Sequence, residues 1–381
     1  RSSYCMKTEH KDIKTVLPYG ENLRGFIQQK FISESELHKI LKKRGIYTLS
    51  SDKEYTVPLI QTLLISPQEF DLIRDAFSSK EDNKKIISRD IKWTNNANIF
   101  AQDVRQIDGN IIADYLKRYL PTCKLERPLK LSIVGDNPNH VKAEFTLKRM
   151  DRNKAWYEQT NLFTGSFQFI RDTNSKGRVV IEHTSPETKL LAEFATSQQI
   201  KNYKSRGVIP EDAILRKIIF NEFKNGERFD FFFQLTSKIS SDFLEFEAIK
   251  DVSIQPEETV SQADIKWMEK IKKLALTGEE LDKKFFIQDK KYHTDLKLWS
   301  MDSSFKYSYR GHKGIVRVNF GFPDFNSGKN ETAEFEINIS TLTPSDSINF
   351  TTRNMLKKNL LSDIDRLKSA AYDAFVSSKI K

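Results

Sequence analysis

Apolar residues in this chain recur with two different periods, and the change from one to the other divides it. From Glu21 to about Phe77 the spacing is helical. Leu37, Ile40 and Leu41 share one face of a predicted helix, and Lys39, Lys42, Lys43 and Arg44 crowd the other, with Ser35 as the expected cap and Gly45 as the stop. Ser66-Pro67-Gln68-Glu69 reads as a capping box with proline at the first helical position, opening a helix through Phe70, Ile73 and Phe77. Ile86 to Trp93 is expected to be a strand that closes this small helical module in the manner of a winged helix.

After the polar stretch Thr94 to Asn98, a helix is expected from about Asn110 to Leu120, stopped by Pro121. The period then shortens to two. Leu129 to Val134 and Val141 to Arg149 read as a hairpin across Gly135-Asp136-Asn137-Pro138. Phe163 to Arg171 and Arg178 to Thr184 read as a second, across Asn174-Ser175-Lys176-Gly177. Ser185-Pro186-Glu187 opens a long helix to about Arg206, and strands are expected at Arg228 to Leu235 and Phe243 to Ile254. Beyond Pro256 the pattern predicts a helix through Ile265, Met268, Ile271 and Leu274. Strands are expected at Thr294 to Trp299, Phe305 to Arg310, Ile315 to Phe320 and Ala333 to Leu342. A last helix carries Leu356, Leu360, Ile364, Leu367 and Phe375 at steps of three and four. The fold class is therefore α+β: a small helical, winged-helix-like N-terminal module, then mixed, largely antiparallel sheet domains with flanking helices. The expected domains are 1–95, 96–255 and 256–381.

Composition narrows the class. With 38% hydrophobic and 30% charged residues over 381 positions the chain is globular, and no apolar run approaches the roughly 18 residues of a membrane span. Met6 is the expected native start, with Arg1 to Cys5 ahead of it as a remnant, and no secretory apolar region follows. Two cysteines, Cys5 and Cys123, make neither a disulfide framework nor a zinc site, so a reducing cytoplasm is the expected compartment. The net charge of +10 favours an acidic partner such as nucleic acid.

Motifs for the familiar enzyme classes are missing. No glycine-rich turn precedes Lys-Ser or Lys-Thr, no dinucleotide fingerprint follows a strand, and no serine-hydrolase elbow, paired metalloprotease histidines or EF-hand loop occurs. His10, His38, His140, His183, His293 and His312 are isolated and read as surface or turn residues, so neither metal nor cofactor is assigned. Asp295, followed by Lys297 and then Phe305-Lys306-Tyr307-Ser308-Tyr309-Arg310, has the order of a restriction-type nuclease core, where two carboxylates on adjacent strands hold Mg²⁺. Ser308 replaces the second acid and Arg310 the lysine, which points to a degenerate core or to a plain half-buried hairpin. Glu334 and Glu336 share a strand face and read as solvated, and Glu247 and Lys250 fall on opposite faces.

Basic residues are the better signal. Lys306, Ser308 and Arg310 alternate with Tyr307 and Tyr309, and Lys313 and Arg317 follow. Lys283, Lys284, Lys290 and Lys291 precede the same segment, and with Lys39, Lys42, Lys43 and Arg44 they form two candidate phosphate-contacting patches.

Several short segments carry a resemblance. Val16-Leu17-Pro18-Tyr19-Gly20-Glu21-Asn22-Leu23-Arg24, Ile32-Ser33-Glu34-Ser35-Glu36-Leu37, Leu41-Lys42-Lys43-Arg44-Gly45-Ile46-Tyr47, Ser51-Asp52-Lys53-Glu54 and Leu63-Leu64-Ile65-Ser66-Pro67-Gln68-Glu69-Phe70 resemble the N-terminal domain of the b component of the GAPS-type two-gene bacterial anti-phage systems. The likeness covers about Val16 to Trp93. It implies a partner component resembling a restriction-type nuclease, so that cleavage resides in the partner and this chain is not an enzyme. The reading is then a cytoplasmic, non-catalytic subunit of an anti-phage complex that binds nucleic acid, expected to be double-stranded DNA, and docks a nuclease subunit through apolar surface on the central or C-terminal helices. The alternatives are a divergent metal-dependent nuclease acting through Asp295 and Lys297, and a sensor of a phage protein that does not bind nucleic acid.

Overall fold

The computed structural model describes residues 17–29, 32–81, 83–94, 107–150, 160–172, 175–271, 273–278, 281–327 and 331–380. The expectations placed on Arg1 to Met6, Cys5, His10, 95–98 and Asn174 lie outside them. Four helices come first among the described residues: α1 (Gly20–Ile27), α2 (Glu34–Lys43), α3 (Lys53–Thr62) and α4 (Pro67–Glu81). They enclose a core of their own, built on Leu23, Phe26, Leu37, Leu41, Ile60, Phe70 and Phe77.

Their ends are set by local hydrogen bonds. Ser33, not Ser35, caps α2: its N–H donates to Glu36 Oε2 at 2.9 Å and its hydroxyl to the same oxygen at 2.8 Å. The capping box at α4 forms as its sequence predicts, with Ser66 N–H donating to Glu69 Oε2 at 2.8 Å and Glu69 N–H to Ser66 Oγ at 3.3 Å.

The other described residues form one antiparallel sheet with helices on it: β1 (Lys85–Lys92), α5 (Gly109–Tyr119), β2 (Cys123–Leu125), β3 (Ser132–Val134), β4 (Asn137–Met150), β5 (Thr160–Arg171), β6 (Lys176–His183), α6 (Pro186–Ser205), α7 (Asn225–Leu235), β7 (Leu244–Pro256), β8 (Leu274–Thr277), α8 (Phe285–Gln288), β9 (Leu296–Tyr309), β10 (His312–Gly321), β11 (Glu336–Pro344) and α9 (Phe350–Ile380). The strand order is β2-β4-β5-β6-β1-β11-β10-β9-β7-β8, with β3 also paired to β4.

Strand β1 does not close the helical module. It lies inside the sheet, paired along its whole length with β6 and through Lys85 and Ile86 with β11. Its alternation serves two cores: Ile91 joins the cluster under α5 and α6 with Phe167, Phe169, Ile181 and Tyr203, and Ile86 joins the cluster under α7 and α9 with Phe231, Phe320, Ile337 and Leu360.

Three other segments differ from expectation. Residues 225–235 form α7 rather than a strand; the phenylalanine run is buried on nearly every side, so neither period is visible in it. The expected helix through Ile265 and Leu274 is a short 3₁₀ turn (Ala263–Met268) followed by β8. The two strands expected at Thr294–Trp299 and Phe305–Arg310 are one strand, β9. Among the described residues no helix is long and apolar enough to cross a membrane.

Candidate functional site

Lys39, Lys42 and Lys43 are exposed on the outer face of α2, opposite the buried Leu37, Ile40 and Leu41. Arg44 is different. Its Nε donates to Glu69 Oε1 at 2.7 Å and its Nη2 to Glu69 Oε2 at 2.5 Å and to Leu64 O at 2.7 Å, a fork that ties the end of α2 to the start of α4. That fork holds the Glu69 carboxyl down to about 2.

The second patch sits at the β9–β10 turn. Phe305, Tyr307 and Tyr309 are buried and Lys306 and Ser308 exposed, as strand alternation requires. Tyr309 pairs with His312, leaving a two-residue loop of Arg310 (φ 48°) and Gly311 (φ 81°). Two positive φ values match the right-handed twist of the hairpin, and glycine or asparagine fill such positions at least cost. Here an arginine holds the first. Its guanidinium lies 5.2 Å from the Tyr309 ring centroid, and the Tyr309 hydroxyl is anchored on Asp363 of α9. Among the described residues, no carboxylate comes within ion-pair distance of Lys306, Arg310, Lys313, Lys39, Lys42 or Lys43. Arg317, Lys290 and Lys291 are neutralised locally. Arg317 donates to Asp302 at 2.9 Å and Asp251 at 2.8 Å, Lys290 lies 3.3 Å from Asp230, and Lys291 lies 3.5 Å from Asp289.

Asp295 is 6% exposed at the end of a 3₁₀ turn ahead of β9. Its carboxylate accepts from Ser261 N–H (2.8 Å), the Ser261 hydroxyl (2.7 Å) and Gln262 N–H (3.0 Å), closing the loop before the 263–268 turn. Lys297 pairs with Glu257 at 2.7 Å. Ser308 and Arg310 lie at the far end of the same strand and its turn, roughly 40 Å from Asp295 at about 3.3 Å per residue, so the hairpin of a nuclease core is not formed here. Among the described residues no group of three or more His, Cys, Asp or Glu gathers as a metal site would require.

Two acids and two histidines depart from expectation by being buried. Glu334 takes a bidentate bond from Arg89, both distances 2.7 Å, and Glu336 accepts from His183 Nε2 at 3.0 Å. His293 stacks on Phe229 with ring centroids 3.9 Å apart. The apolar stripe of α9 is spent on the sheet; exposed large apolar side chains include Tyr19, Tyr47, Leu49, Tyr55, Leu64 and Leu72 on the N-terminal helices and their loops, Ile111 and Tyr119 on α5, Leu190 on α6 and Met355 on α9.

A cavity of ≈ 600 Å³ opens beside Lys297, between the start of α7, the 220–224 loop and Phe325. Lys224, Asn225 and Arg228 reach it from α7. Expecting a strand at 228–235 hid this grouping; the signal for it was Glu227, whose side chain accepts from Lys224 N–H at 2.7 Å and starts the helix.

Comparison with known proteins gives one family and a weak structural likeness. No curated protein matches the chain. Among solved structures, DynU16 from the dynemicin biosynthetic locus is 6% identical, covering 75% of this chain and 98% of its own with a TM-score of 0.19. The di-domain ARO/CYC StfQ from the steffimycin biosynthetic pathway is 10% identical, covering 68% and 86%, with a TM-score of 0.18. Neither score supports an argument about fold or function. At the N-terminus the match is specific and agrees with the resemblance read from the short segments, pointing to a component of an anti-phage defence system: residues 21–83 match the family model of the GAPS4b protein N-terminal domain.

Proposed function

We infer that this chain is the non-catalytic, nucleic-acid-binding subunit of a cytoplasmic anti-phage complex and works in a hetero-oligomer with a nuclease subunit. Double-stranded DNA is the nucleic acid we assign to it. The observation that carries the binding half is the β9–β10 tip, where Arg310 occupies a left-handed position that glycine would fill without strain, between Lys306 and Lys313. A cation kept at a conformational cost, with no carboxylate to neutralise it, fits a phosphate contact. Lys39, Lys42 and Lys43 on α2 supply a second set of the same kind.

Phosphate contacts release counterions, so affinity for a duplex should fall steeply as salt rises. Replacing Lys306, Arg310 and Lys313 together by alanine should flatten the plot of log K against log salt by about 0.9 for each phosphate no longer neutralised. Fluorescence anisotropy with a labelled duplex reads both effects. A slope unchanged in the triple variant removes the tip from the interface, and no salt-dependent binding by the wild-type chain ends the nucleic-acid reading.

A further inference from the structure

The cavity beside Lys297 is independent of the β9–β10 tip and has its own chemistry. Arg228 forms part of its wall and is 3% exposed. Its Nη1 donates to Phe220 O at 3.1 Å and Phe223 O at 2.7 Å, its Nη2 donates to Asn225 Oδ1, and its guanidinium lies 3.7 Å from the Phe220 ring centroid. Every one of these partners is neutral. Its Nε has no partner among the described residues, and no carboxylate stands within ion-pair distance of it there. Burial pushes its pKa down to about 10, and the charges of Glu257 and Glu227 offset that only in part. A full positive charge is therefore held in a low-dielectric wall without a counter-ion, a costly arrangement unless something anionic enters beside it.

Two further features point the same way. The eleven-residue helix α7 starts at this cavity, with Lys224 as its N-cap and Asn225 and Gly226 on the wall, so its positive end faces the space. Lys297 also lines it, held by Glu257 at 2.7 Å, and the same carboxylate accepts from Asn225 Nδ2 at 2.7 Å. Lys224, Lys297 and Arg228 thus stand against Glu257, Glu331 and Glu227; Glu257 is already occupied, and Glu227 is held by Lys224 N–H at 2.7 Å and by Lys379 at 2.8 Å. Phe220 and Phe325, with ring centroids 4.4 Å apart, add an apolar wall, and Gln255 an amide.

We propose that this cavity binds a small phosphate monoester or free phosphate, contacted by Lys224, Lys297 and the N-terminus of α7 above the fixed charge of Arg228. The phosphate group is the shared chemistry; the aromatic and amide wall is what distinguishes a nucleoside monophosphate from the bare ion.

Calorimetric titration of the full chain with inorganic phosphate, adenosine 5′-monophosphate and uncharged adenosine tests this. Both anions should bind and adenosine should not. Tighter binding of the monophosphate assigns the base to the Phe220–Phe325 wall, and equal affinity assigns phosphate alone; both support the site. Lys224→Ala should weaken binding about tenfold, near 1.4 kcal/mol. A Cβ built on Gly226 meets no atom within 4 Å, so Gly226→Leu should extend into open space without disturbing the fold and abolish binding with the thermal midpoint kept. Failure of both anions to bind, or binding that survives both Gly226→Leu and Lys224→Ala, overturns the proposal.

Discussion

Glu336 has almost no access to water, so its ionisation is decided by what surrounds it. Burial opposes the charge, but the hydrogen bond from His183 on β6 and the nearby charges of His183, Lys85 on β1 and Lys189 on α6 outweigh it and hold the carboxyl down to about 2. In the unfolded chain the same group titrates near its usual value of about 4.3. A carboxyl lowered on folding stabilises the fold above its unfolded pKa and loses that contribution as pH falls towards its folded one. Glu336→Gln should therefore lower the urea midpoint at neutral pH, and the gap from wild type should narrow between about pH 4.3 and 2. A gap that stays constant across that window would show that the charge contributes nothing. Gly177 gives a steric prediction. A Cβ there would lie 1.3 Å from the Trp93 ring nitrogen, so Gly177→Ala must displace a buried tryptophan, at a cost of about 2–3 kcal/mol with a red shift of its emission. In the sequence Gly177 read as a turn residue; its role as room for Trp93 depends on a partner brought to it only by the β1–β6 register.

At the scale of elements, legibility followed how local the cause was. The capping box of α4, the β5–β6 hairpin and the stripe of α9 were readable because their determinants lie within a few residues of one another. Helix α7 was not: Phe229, Phe231, Phe232 and Leu235 are all buried, and a short apolar run without a polar face looks the same as strand or helix. That error concealed Arg228, while Lys306 and Arg310 were found because their alternation is visible in β9 itself. The Asp295 hairpin failed for the opposite reason, since Ser300 to Ser304 look like a polar turn but are pairing positions in the middle of a long strand. The β9–β10 turn then separates stability from binding. Arg310→Gly relieves a left-handed residue and should raise unfolding free energy by about 1 kcal/mol, while the lost cation should weaken duplex binding. Both changes are read on one purified variant, by denaturation and by anisotropy, and a stability gain with unchanged affinity would remove Arg310 from the interface.

The whole molecule turns on β1, which follows the N-terminal helices in sequence but lies at the centre of the sheet between β6 and β11. Arg89 on this strand binds Glu334 next to β11 and Glu193 on α6, and Ser88 joins Asp365 and Lys368 of α9 in a buried hydrogen-bonded group. One strand therefore joins the two cores beneath α6 and α9, whereas helices α1 to α4 bury their apolar faces on each other. Removing the helices alone should leave the sheet intact; removing β1 with them should take Arg89 from the buried Glu334 and Ser88 from the buried Asp365–Lys368 pair, and open a gap that β6 and β11 cannot close. A chain of residues 84–381 should unfold in a single cooperative transition, and one of residues 96–381 should lack it and expose apolar surface to a reporter dye. Circular dichroism melts of the two, side by side, decide this. A cooperative transition in 96–381 would mean that β1 is an accessory to the sheet rather than the strand that unites it.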